Sequence, residues 1–117
     1  MSYDSNNVFA RILRKEIPCK SIYEDQNVLA FYDINPKAKI HVLVIPKGEY
    51  VTFQDMIEHA SQDKINGFLN GIFATIRALN LTDGYRLVFN TGRDAGQEVP
   101  HLHAHILAGE KLSADHL

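Results

Sequence analysis

The segment His101-Leu102-His103-Ala104-His105-Ile106-Leu107 alternates histidine with apolar residues, and this alternation dictates a strand with two unlike faces. Successive side chains of a strand point to opposite sides, so residues two apart share a face at ~6.6 Å steps. Three imidazoles then line one side, while Leu102, Ala104 and Ile106 enter a core on the other. Histidine is a mediocre strand former, and stacked rings repel one another once protonated, so covering a surface does not account for three in register. His41 lies in the apolar run Ile40–Ile45 and reaches the same face. A buried imidazole there needs a partner for at least one ring nitrogen. His59 and His116 fall in helical and tail contexts and are expected at the surface.

The rest of the chain supplies the elements around that strand. Val8, Phe9, Ile12 and Leu13 have the spacing of one helix face, with Ser5, Asn6 and Asn7 as N-cap residues and Pro18 as terminator. Residues 20–25 and 28–33 are rich in β-formers and are read as antiparallel strands joined at 25–27. Residues 35–38 form a turn, and a third strand from Ile40 ends at Pro46. Its almost unbroken apolar character predicts cover on both faces. Thr52 caps a short helix, with Asp55 as a weak relative of a capping box.

A long helix follows from Ser61, with large apolar residues at 65, 68, 69, 72, 73, 76 and 79 in a stripe ~140° wide that should pack on the sheet. Gly67, Gly71, Ala74 and Ala78 form a second stripe of small residues on the other side. It predicts a close approach, by a partner helix in a symmetric homodimer or by a loop of the same chain. A fourth strand is expected over 84–90, a glycine-bearing loop over 91–96 and the histidine strand from 101. The order predicts an α+β fold: one domain over 1–117, with a five-stranded, mainly antiparallel sheet, an N-terminal helix and one long central helix.

Composition limits what such a domain binds. With 12 Lys and Arg against 14 Asp and Glu the formal charge is −2, which gives no basic surplus for long nucleic acid or an anionic membrane. The longest strongly apolar run falls far short of the ~20 residues of a membrane-spanning helix. One cysteine, Cys19, makes no internal disulfide, and the opening residues lack an export pattern, so a cytoplasmic location is expected.

Two chemistries suit the histidine face. Zinc needs its ligands ~2.1 Å from one point, whereas three same-face strand positions span ~13 Å. Two of the histidines would therefore need a third ligand, from Asp33 or His41. Phosphoryl chemistry uses the row as it stands: one neutral imidazole attacks phosphorus and its neighbours donate hydrogen bonds to the non-bridging oxygens. Histidines near their ordinary pKa of ~6.5 can divide these roles at neutral pH. The preceding loop favours phosphate, because Gly92 and Gly96 permit backbone amides to point at an anion.

The run Gly96-Gln97-Glu98-Val99-Pro100-His101-Leu102-His103-Ala104-His105-Ile106-Leu107 resembles the signature of the histidine triad superfamily. Residues 8–18, 28–38 and 41–47 resemble the family's N-terminal helix and first sheet segment. The short layout is similar to the Hint branch of purine nucleoside phosphoramidases. The resemblance implies a cofactor-free, metal-independent enzyme that releases a nucleoside monophosphate and an amine through a nucleotidyl-histidine, with a non-catalytic nucleotide-binding protein or a zinc-dependent hydrolase as alternatives. By that resemblance His103 is the nucleophile, His105 contacts the phosphate oxygens and His101 braces the site from behind. His41 hydrogen-bonds to the nucleophile and sets its tautomer. Asp33 and Ile34 hold ribose and purine; Phe9, Ile12, Phe31 and Leu43 form the base slot; Asn90 and Gly96, Gln97, Glu98 and Val99 lie on the phosphate side. Glu98 departs from the serine of the animal proteins, so its side chain is a poor phosphate donor while its amide can still serve.

Overall fold

The computed structural model describes residues 2–116. The first helix, α1 (Val8–Leu13), begins where expected: the Asn7 side chain accepts from the Ala10 amide, satisfying one of the orphan donors of a helix start. It ends before Pro18. Lys15 takes a left-handed φ of 64°, its amide donates to Ile12 O, and Glu16 N donates to Arg11 O, so a Schellman cap closes the helix without a glycine.

Strands β1 (Ser21–Glu24) and β2 (Val28–Tyr32) form the expected hairpin. Asp25 Oδ1 closes its turn, accepting from the amides of Asn27 and Val28. β3 (Ile40–Pro46) pairs with β2 and with β5 (Ala104–Ala108), and β4 (Arg86–Val88) pairs with β5. The sheet is five-stranded and antiparallel throughout, in the order β1-β2-β3-β5-β4. β3 is buried along almost its whole length, in keeping with its apolar run. Between β3 and β4 come α2 (Phe53–His59) and α3 (Gln62–Ala78). Thr52 caps α2, but Asp55 reaches back to the amide of Val51 rather than of Thr52. Among the described residues no helix is long and apolar enough to cross a membrane.

Strand alternation divides the interior into two clusters. Val28, Ala30, Val42, Val44, Ala104 and Ile106 face α3, where Phe68, Ile72 and Ile76 meet them. Leu29, Phe31, Leu43 and Ile45 face the other way and are covered by Phe9 and Ile12 of α1. A six-residue helix covers only part of that second face, and the uncovered part is where the histidines lie.

Three expectations change. The long helix is turned relative to the apolar stripe: Leu69 and Phe73 are 51% and 57% exposed, whereas Gly71 and Thr75 are buried. The glycine half of the small-residue stripe is therefore an intrachain contact, while Ala74 is half-buried and Ala78 exposed. A Cβ on Gly71 would lie 2.5 Å from Val28 Cγ2, and one on Gly67 would run into the Asn27 side chain. The glycines let α3 approach the β1–β2 hairpin closely, and they mark no partner helix. The histidine strand starts at Ala104 rather than His101, because His101 N turns back to Val99 O and Leu102 N bonds to Tyr50 O, outside any ladder. β4 is likewise shorter than 84–90, since only three of its residues find partners on β5.

Candidate active site

The uncovered face is a cleft of about 740 Å³. Its floor follows from strand register: Phe31 pairs with Leu43, Leu43 with His105 and His105 with Val88 in one row, and His41 pairs with Leu107 in the next. Phe9, Ile12, Phe31, Leu43 and the Ile34 rim make an apolar end, while Asp33, His41, His103, His105, Asn90 and the 96–99 loop make a polar end. Ile34 is 91% exposed, an apolar side chain held open at the mouth. His101 does not line the cleft; it is fully buried behind it.

Hydrogen bonds to the backbone fix the tautomers of His41, His103 and His101, and His41 in turn fixes that of His105. The amide N–H of Lys37 points at His41 Nδ1, 3.0 Å away, so that nitrogen is an acceptor and Nε2 carries the proton. His41 Nε2–H then donates to His105 Nδ1 at 2.9 Å, which leaves the His105 proton on Nε2. His103 is the opposite case. Its Nδ1–H donates to the carbonyl of His101 at 2.7 Å, so the lone pair sits on Nε2. His101 donates Nε2–H to Pro46 O at 2.9 Å and accepts at Nδ1 from the Tyr3 hydroxyl. The rings of His103 and His105 lie 4.9 Å apart, and Phe9 meets His103 edge to face at 5.0 Å.

His41 therefore contacts His105 and not His103, contrary to the role the sequence suggested. The His103 tautomer is set by a carbonyl two residues upstream. The protonation states also differ from expectation. Burial pushes His101 and His105 down to about 4 and lowers His103 and His41 as well; the neighbouring His103 and His41 rings add to the shift of His105, and Asp33 opposes it. All four rings are neutral at pH 7. The division into lone pair and donor comes from tautomers, not from one ring being charged.

The loop before the histidines is built differently from a simple amide cradle. Gly92 and Gly96 do adopt positive φ, but the amides of Gly96 and Gln97 are spent inside the loop on Arg93 O and Gly92 O. The Gln97 side chain is spent too, accepting from Gly92 N and donating to Val51 O and Val99 O. Among the described residues the amides of Glu98 and Val99 have no partner, so these are the ones free for an oxyanion. The Glu98 side chain is exposed at the cleft edge.

Asp33, His41 and His105 bring ligand atoms within 4.8 Å of one another. A histidine that binds a metal ordinarily gives its other ring N–H to an acceptor. At His41 the other nitrogen faces a donor, so Nε2 keeps its proton and has no lone pair for a cation. The donor set does not suit zinc, and only one triad histidine takes part in it.

Other residues reach the site without warning from the sequence. His116, expected at the surface, lines the cleft; Ser113 N donates to its Nδ1, and its Nε2 lies 3.7 Å from Glu110. Tyr3, Lys37 and Pro46 act through an O–H, an amide and a carbonyl. The last two are backbone groups that no residue pattern encodes. His59 is exposed, as expected, and pairs with Asp55.

With this geometry in view, residues 14–112 match the model of the HIT domain, beginning just after α1. The chain belongs to the HIT family. A HIT-like protein of Azospirillum brasilense, itself uncharacterised, is 51% identical over 95% of this chain and 92% of its own. Among solved structures, a histidine triad protein of Clostridium difficile superposes with a TM-score of 0.84 at 40% identity, covering 97% of both chains. A HIT family hydrolase of Legionella pneumophila gives 0.84 at 38% identity over 93% of this chain and 97% of its own. The fold is thus the HIT fold. Its family contains hydrolases.

Proposed function

We propose that this HIT protein is a phosphoramidase of the Hint type, hydrolysing the P–N bond of purine nucleoside 5′-phosphoramidates to a nucleoside monophosphate and an amine. The observation that carries the reading is the pairing of opposite tautomers: the His103 ring, with its lone pair on Nε2, lies 4.9 Å from the His105 ring, with its proton on Nε2. The purine occupies the apolar end, covering Ile34. Asp33, whose Oδ1 accepts from Asn35 N, keeps acceptor capacity for ribose hydroxyls. The phosphate lies between His103, His105 and the amides of Glu98 and Val99.

His103 Nε2 attacks the α-phosphorus of the N-protonated phosphoramidate. The P–N bond breaks, its electrons leave with the nitrogen, and the neutral amine departs. The proton on the departing nitrogen comes from solvent, because the His103 ring proton is on Nδ1, turned to the His101 carbonyl. That carbonyl stabilises the positive charge of the nucleotidyl-imidazole, and the His105 N–H and loop amides stabilise the equatorial oxygens. Water then attacks phosphorus, releasing the nucleoside monophosphate and a proton, and restores neutral His103.

The protein would work as a homodimer, though not through the small-residue stripe. β4 is an open sheet edge with Leu87 exposed, and α3 exposes Leu69 and Phe73; a second copy is the occupant assigned to these surfaces, and light scattering at two chain masses is the result expected.

The deciding experiment is a steady-state assay of adenosine 5′-phosphoramidates on wild type and His103→Ala, with and without EDTA. Turnover in wild type that survives EDTA and vanishes in the variant is expected. AMP binding without turnover would replace the enzyme by a nucleotide-binding protein, and activity restored by Zn²⁺ after EDTA would overturn the metal-free mechanism.

A further inference from the structure

The carbonyl that orients His103 belongs to a residue outside the sheet. His101 lies in the stretch where ladder bonding has not yet begun: its N turns to Val99 O, and its O accepts from the His103 ring. Sheet pairing therefore does not hold this carbonyl in place. The fully buried ring of His101 does so, pinned at Nε2 by Pro46 O and at Nδ1 by the Tyr3 hydroxyl. Tyr3 also stands edge to face on the same ring, with centroids 5.5 Å apart.

The direction of the Tyr3 bond is set in turn. His101 Nε2–H is committed to the Pro46 carbonyl, so Nδ1 of the neutral ring is the acceptor and the Tyr3 hydroxyl is the donor. Phe9 of α1 meets both His101 and His103.

We propose that Tyr3 is a positioning residue for the nucleophile: residues 3–13 form the back wall of the histidine group and hold the His101 ring, and through its carbonyl the His103 tautomer. This inference rests on the phosphoramidase reading for its kinetic readout only. The side chains that line the cleft are untouched by it, since Tyr3 is not among them.

The test compares wild type with Tyr3→Phe, which keeps the ring and removes the hydroxyl. Tyr3→Leu, which removes the ring as well, is the second variant. First-turnover AMP formation is expected to fall at least ~10-fold in each, with AMP affinity within about twofold of wild type. In ¹⁵N spectra His103 is expected as one Nδ1–H tautomer in wild type and as a mixture in Tyr3→Phe. Unchanged His103 ring shifts in Tyr3→Phe overturn the inference whatever the rates, and so does a rate that falls only in proportion to AMP affinity. Wild type without turnover would end the phosphoramidase reading, while the ring shifts would still decide the role of Tyr3.

Discussion

Acid should unfold this protein partly through His101, and His101→Gln isolates that contribution. Gln can still offer an amide N–H to Pro46 O but does not titrate. Burial depresses the His101 pKa from 6.5 in the unfolded chain to about 4 in the folded protein. With the folded value depressed, only the unfolded chain binds the proton between these two pH values, so the cost is absent above the unfolded pKa and grows as pH falls. By about pH 4.5 it reaches about 2.5 kcal/mol, obtained from the ratio of the two binding polynomials at 1.36 kcal/mol per tenfold step. Below about pH 4 the folded ring protonates as well and the loss levels off. The measurement is urea denaturation of both proteins at about pH 8 and about pH 4.5. Static damage from the substitution cancels in each protein's own pH difference, and His105 and the carboxylates are common to both. Wild type should lose about 2–2.5 kcal/mol more than the variant on acidification. Equal losses would show that the ring titrates as in water and that no dry wall stands behind His103.

Other substitutions probe separate parts of the molecule. His105→Ala should lower turnover by ~10²–10³, the loss typical of one oxyanion donor, with little change in AMP affinity measured by titration calorimetry. Gly71→Ala drives a methyl into Val28 and should cost ~1–3 kcal/mol in denaturation without altering the sedimentation mass; a dissociated but equally stable protein would instead put a partner chain at that stripe. Gln97→Ala removes the side chain that ties Gly92 to Val51 and Val99, and faster amide exchange confined to residues 91–99 is expected.

The sequence by itself determined the class of fold and the chemical character of the site. Period-two alternation at 101–107 and the apolar run at 40–45 depend only on strand geometry, and they put His105 and His41 on one face of a buried sheet, whereas His101 and His103 precede β5 and take their places from tertiary contacts. The N-cap at Asn7 and the turn at Asp25 are equally local. Local pattern could not assign the rotation of α3. A 140° apolar stripe and a glycine stripe both claim the sheet, and the Asn27 and Val28 side chains settle the matter by leaving room only for hydrogen. Nor could it give the roles of the histidines. Those depend on which ring nitrogen is protonated, and that is decided by the Lys37 amide, the Pro46 and His101 carbonyls and the Tyr3 hydroxyl. Three of these are backbone groups present at every position of any chain, and the fourth lies 98 residues from its partner. Only folding brings such groups within hydrogen-bond distance, so the tertiary structure alone turns four chemically identical imidazoles into one ring with its lone pair on Nε2, one with its proton there, and two that hold them.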